Sequence, residues 1–162
     1  MKKPFTEFKC DVCGKTIRAE DAMLQWLQRE KDDSNPFPMT LVDIHICCNR
    51  KPCDGIYERR QIPEGLIEQW NHLDRFIGPD YIDELLTFPI ERIIPEEKKL
   101  DFLEIMRRLT IPHYEEARQY FSNAEYDYYI DNIRDYEKGY ASWQQQTLKN
   151  IIEKYADADK EK

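Results

Sequence analysis

The spacing of apolar residues along the chain changes near residue 60. Before that point it is strand-like. "AMLQWLQRE" (22–30) and "MTLVDIHIC" (39–47) show partial alternation and β-branched enrichment. "KDDSNPFP" between them has the Asp, Ser, Asn and Pro of a turn. The pattern predicts a β-hairpin. In its second strand Val42, Ile44 and Ile46 share one face, expected to meet the core, while His45 and Cys47 point the other way.

After residue 60 the rhythm becomes helical. Four segments open on proline, which suits a first helical position. They are "PEGLIEQWNHLDRF" from Pro63, "PDYIDELLTF" from Pro79, "PEEKKLDFLEIMRRL" from Pro95 and "PHYEEARQYF" from Pro112. Acidic residues follow early in each, and the third ends in Arg107 and Arg108, the signs the helix dipole favours. A fifth helix is expected from Ser122, where "SNAE" is a capping box, and a sixth after Gly139. Tyr126, Tyr129, Ile130 and Ile133, and then Leu148, Ile151, Ile152 and Tyr155, give each a core-facing stripe. The expected fold is α+β, with a small β-hairpin module over residues 1–60 packed on an all-helical body over 61–162.

Composition adds a location and a charge asymmetry. Of 162 residues, 41% are hydrophobic and 35% charged, so a core and a polar surface are both available. No apolar run approaches the length of a membrane helix, and "MKKPFTEFKC" has no apolar stretch of a secretory signal. The expectation is a cytoplasmic protein without a membrane partner. Residues 1–60 carry 11 Lys and Arg against 10 Asp and Glu, a net of +1, and the rest 13 against 22, a net of −9, so the acidity of the chain's net −8 lies in the second part. An acidic body repels nucleic acid, leaving only the first sixty residues to contact it.

Five cysteines cannot all pair, and clustered thiols in a reducing compartment read as metal ligands. "CDVCG" is a zinc-knuckle pattern, with Cys10 and Cys13 able to meet one ion and Gly14 free to take the positive φ of the turn. A structural Zn²⁺ needs four ligands. "HICCNRKPC" offers His45, Cys47, Cys48 and Cys53 for the other two places. One ligand from a hairpin strand and one from the following turn is a treble-clef arrangement. It favours Cys10, Cys13, His45 and Cys53, with Cys48 in reserve as the route to a four-cysteine site. A closed set of this kind is a staple for a small module rather than a catalytic metal.

The chain resembles an uncharacterised bacterial family that begins with a CxxCG-like knuckle. The likeness runs over about residues 8–124, through "AMLQWLQRE", "LVDIHICC", "FIGPDYIDELL" and, most specifically, "RLTIPHYEEARQYFSNA". The resemblance implies His45 and Cys53 as ligands. The chain departs from it in having one histidine where the family has two, and in the additional Cys47 and Cys48. The family brings no known activity.

Other constellations have plainer readings. His113, Glu115, Glu116 and Arg118 suit a helix N-terminus with an internal ion pair better than an acid–base set. His72 reads as a structural histidine. Arg50, Lys51, Arg59 and Arg60 form the basic cluster nearest the knuckle and offer a nucleic-acid contact, diluted by Asp54 and Glu58. Tyr126, Tyr128 and Tyr136 stand in a tyrosine-rich acidic stretch suited to docking a protein. No phosphate loop, dinucleotide fingerprint or nucleophile elbow occurs. "CCNRKPCD" faintly resembles the knuckle of HNH nucleases, which would need His45 as a general base. The functional expectation is a non-enzymatic zinc-binding protein with a protein partner. Nucleic-acid binding and then a nuclease are the alternatives.

Overall fold

The alternation in residues 22–29 and 39–48 does form paired strands. In the computed structural model, which describes residues 3–29, 39–59, 62–77, 81–126 and 145–156, the chain makes two compact units. One is residues 7–110, and the other joins residues 1–6 to 111–162.

The first unit opens with a small antiparallel pair, β1 (Glu7–Lys9) and β2 (Thr16–Arg18), in which Phe8 faces Ile17. Strands β3 (Ala22–Arg29) and β4 (Met39–Cys48) follow as the expected hairpin. A short helix, α1 (Ile56–Arg59), comes next. Then "LIEQWNH" forms β5 (Leu66–His72), against the expected helix from Pro63. The reason is local and tertiary. Gly65 sits at φ 78° and the Leu66 N–H donates to the Pro63 carbonyl at 3.2 Å, so Pro63–Leu66 is a turn, not a helical start. The strand leaving it pairs antiparallel with β3 along its whole length. Helices α2 (Ile82–Glu91) and α3 (Lys99–Thr110) flank a two-residue strand, β6 (Arg92–Ile93), parallel to the start of β4. The sheet order is β5-β3-β4-β6.

Both faces of the central strands are buried. Leu24 and Trp26 lie opposite Ile46 and Ile44 on one face, where Trp26 meets Phe88 of α2 edge-on and Phe88 stacks on Phe102 of α3. Met23 and Gln25 lie opposite Cys47 and His45 on the other, which α1 reaches through Tyr57. The expected boundary at residue 60 is therefore corrected. It would separate β5 from the sheet it belongs to, and residues 61–110 are not all helical.

The second unit is helical in its described residues. Tyr114, Ala117, Phe121 and Ala124 repeat at helical spacing through α4 (Tyr114–Ala117), a 3₁₀ turn and α5 (Phe121–Tyr126). They pack on Leu148, Ile151, Ile152 and Tyr155 of α6 (Gln145–Tyr155). The helix expected from Ser122 is present as α5, but it begins at Phe121 as a continuation of the helical run from Tyr114, so Ser122 does not cap it; Tyr129, Ile130 and Ile133 of its expected stripe lie outside the described residues. The start expected after Gly139 lies outside the described residues up to Gln145.

Candidate metal centre

The knuckle forms by local backbone bonding. The Cys10 N–H donates to the Lys15 carbonyl at 2.9 Å and the Gly14 N–H to the Cys10 carbonyl at 2.9 Å. Gly14 has φ 71°, and nothing stands where a Cβ would point. Glycine is needed there for its backbone angle, not for space. The Cys13 N–H lies 3.5 Å from Cys10 Sγ, the amide-to-sulfur contact that stabilises thiolates.

The second pair comes from the end of β4 and the turn after it. Cys48 is the last residue of β4, and the Cys53 N–H donates to the Arg50 carbonyl at 3.0 Å in the turn before α1. The four Sγ atoms of Cys10, Cys13, Cys48 and Cys53 all lie within 4.8 Å of one another. Those of Cys13 and Cys48 are 3.8 Å apart. A tetrahedron with metal–sulfur bonds of about 2.3 Å has edges of about 3.8 Å, so the thiols fit one ion. Cys10, Cys48 and Cys53 are buried and Cys13 is exposed, which leaves an entry side.

An ion pair that the sequence reading missed holds the two halves together. Asp11, inside the knuckle, accepts the Ile46 N–H at 2.7 Å through Oδ2 and donates its own N–H to the Ile46 carbonyl at 2.8 Å. This ties the knuckle to β4 two residues before Cys48. Arg108 of α3, 2% exposed, donates through Nη1 to both Asp11 oxygens at 2.8 and 2.7 Å, and through Nη2 to the Lys9 carbonyl at 2.7 Å. "RRL" at the end of α3 looked like dipole-favoured cations. The only sequence signal was an arginine at i+3 from Ile105, on the core stripe.

The thiols have unequal acidities. The Lys15 backbone N–H beside Cys13 lowers that thiol to about 7. Burial raises Cys53 to about 11 and pushes Cys48 up further. Cys13, the exposed one, is the most acidic of these three thiols, and a bound cation's own charge would bring the others to the thiolate form.

His45 is not in this cluster, contrary to expectation, and Cys48 takes its place. The cause is strand parity. His45 and Cys48 are three apart on β4 and point to opposite faces. His45 Nε2 lies 3.0 Å from Gln25 Oε1 and its Nδ1 3.1 Å from the Tyr57 hydroxyl, which also donates to Asp43 at 3.0 Å. Gln25 is fully buried and donates to the Asp54 carbonyl at 3.0 Å and to Glu68. Cys47 joins the same network through Gln25 Oε1 at 3.6 Å, with burial raising its thiol to about 12. Those contacts seat α1 on the sheet.

Of the other expected sites, Arg50 and Lys51 are exposed in the turn between Cys48 and Cys53. Arg59 closes α1, with its side chain outside the described residues, as is all of Arg60. Tyr126 ends α5, and its side chain, with Tyr128 and Tyr136, also lies outside them. Arg118 pairs with Glu115 at 2.7 Å, one turn apart. His72 is exposed, with its ring perpendicular to that of Trp70. Among the described residues no helix is long and apolar enough to cross a membrane. No family model, curated protein or solved structure matches the chain.

Proposed function

We propose that this chain is a non-enzymatic zinc-binding protein that acts by binding another protein. The observation that carries the reading is the cluster of four thiols whose Sγ atoms all lie within 4.8 Å of one another. Four soft thiolates in a tetrahedron suit Zn²⁺, which has no geometric demand of its own and no redox chemistry. Four protein ligands complete its shell, so the ion would staple the knuckle, the end of β4 and the turn before α1. With four thiolates in place of three and a histidine, the site carries two excess negative charges. That charge supports a protein partner over nucleic acid. The free thiols support a reducing compartment such as the cytoplasm. The resemblance to a bacterial family with a CxxCG-like knuckle supports the knuckle pair and Cys53, while the His45 it implies as a ligand lies outside the cluster.

Native mass spectrometry of the purified chain, with elemental analysis, tests the metal. One zinc per chain is expected, and iron or no metal overturns it. Affinity capture with the zinc-loaded chain tests the interaction. A turnover activity found with no captured partner would sink that half of the reading.

A further inference from the structure

Helix α2 is apolar on two sides. Leu85 and Phe88 face the core, at 2% and 4% exposure. Ile82, Leu86 and Ile90 do not. Set four residues apart, they are 46%, 54% and 76% exposed, with Tyr81 at 45% just before them. At about 100° per residue they form one narrow strip on the helix surface. Pro89, inside the helix and exposed, adds a rigid apolar surface beside them. Contiguous exposed apolar side chains of this size mark interaction sites.

The strip's neighbours give the charge of what it meets. Asp83 and Thr87 adjoin it on the helix surface and, with Glu84 and Glu91 further round the helix, wall a cleft of about 370 Å³, shared with Trp26 and Arg92. Arg92 pairs with Glu91 and leaves the charges of Asp83 and Glu84. Its guanidinium is held by Glu91 and Gln28, each at 2.9 Å, and lies over the Phe88 ring at 4.2 Å. Asp83 and Glu84 have no ion-pair partner among the described residues.

We propose that α2 is the docking face for a basic amphipathic helix of a partner protein. The partner's apolar side chains would cover Ile82, Leu86 and Ile90, and a lysine or arginine would reach Asp83 at the near edge of the cleft, in the field of Glu84 beyond it. A second copy of this chain is a poor occupant. Pairing two α2 strips sets acidic flanks side by side, in a molecule of net charge −8. An acidic rim also disfavours anionic membranes and nucleic acid. The inference rests on the protein-interaction half of the proposed function and names its surface.

The test uses the full chain and two labelled synthetic amphipathic helices with the same leucine face, one flanked by lysines and one by glutamates. Fluorescence anisotropy should show the lysine peptide binding at least about ten-fold tighter than its twin, an effect weakened by salt. Leu86→Glu with Ile90→Glu should cost about ten-fold or more, and Asp83→Lys with Glu84→Lys should remove the preference for lysine. These positions are exposed, and an unchanged thermal melt shows that each variant is folded. Equal binding of the two peptides, or binding indifferent to the substitutions, overturns the proposal. A dimer seen by light scattering and lost in Leu86→Glu with Ile90→Glu also overturns it, by assigning the strip to a second copy. A natural partner captured equally well by that variant overturns this surface but leaves the interaction reading standing.

Discussion

At the scale of single residues, identical side chains take different roles because of which way a strand points them. Cys10, Cys13 and Gly14 were legible in sequence because their geometry is set within five residues. The choice between His45 and Cys48 was not, since it depends on which face of β4 meets the knuckle, and Asp11 bonding to Ile46 decides that at long range. The expected consequence is sharp. Cys48→Ser and Cys53→Ser each lose the metal in native mass spectrometry, while Cys47→Ser, with its side chain in the Gln25 network, keeps it. A Cys48→Ser chain that retains a full complement would return the fourth place to His45. His113 makes a separate prediction. It holds φ 67°, its Nδ1 is buried without a hydrogen-bond partner among the described residues, and burial lowers its pKa, with Lys149 adding to that against Glu116. A histidine with a depressed folded pKa leaves stability intact above its unfolded value of about 6.5. Stability then falls as acid protonates the unfolded chain first. The urea midpoint of the helical unit should therefore fall as pH drops below about 6.5. His113→Asn, which tolerates the left-handed backbone, should flatten that slope.

At the scale of elements, the strongest local signals were right where tertiary demand agreed with them. Strands β3 and β4 and helices α2, α3 and α6 lie where apolar periodicity put them. The segment from Pro63 failed because proline and glutamate at a helix start look like proline and glutamate in a turn, and Gly65 at positive φ was the discriminating residue. Its partner, the edge of β3, is not visible in local periodicity. Arg108 is the other element-scale device, joining α3 to the knuckle through Asp11 and the Lys9 carbonyl. Arg108→Met would leave a carboxylate and a carbonyl short of their donor. Asp11 is 29% exposed, so water recovers part of the loss, and the cost should be about 2–3 kcal/mol rather than the full value for a wholly buried pair. Denaturant unfolding of the zinc-loaded chain measures it. A loss under about 1 kcal/mol would show that the pair is not what docks the knuckle. Asp11→Asn alongside it should give a clearly non-additive double-mutant cycle.

At the scale of the whole molecule, the division falls at residue 110 and not at 60, because cores rather than composition define compact units. The change from strand-like to helical sequence near residue 60 is real, yet β5 carries the chain back into the sheet after it. The thiols all sit in the first unit. Its core includes Cys10, Cys48 and Cys53 with Phe8, Leu24 and Ile46, so the proposed metal is continuous with that core. The helical unit has a separate one, built on Tyr114, Phe121, Leu148 and Ile151, with no ligand in it. Metal binding to a folded site adds its free energy to the folding of the unit that holds the site. A chelator should therefore act on one unit alone. In hydrogen exchange followed by mass spectrometry, chelation is expected to speed exchange in β1, β2, the end of β4 and α1. Peptides of α4, α5 and α6 should keep their protection, because nothing they bury is removed. Loss of protection in both units together would mean that they fold as one cooperative body. No change in either would mean that the thiol frame, braced by Arg108 and Asp11, stands without its ion.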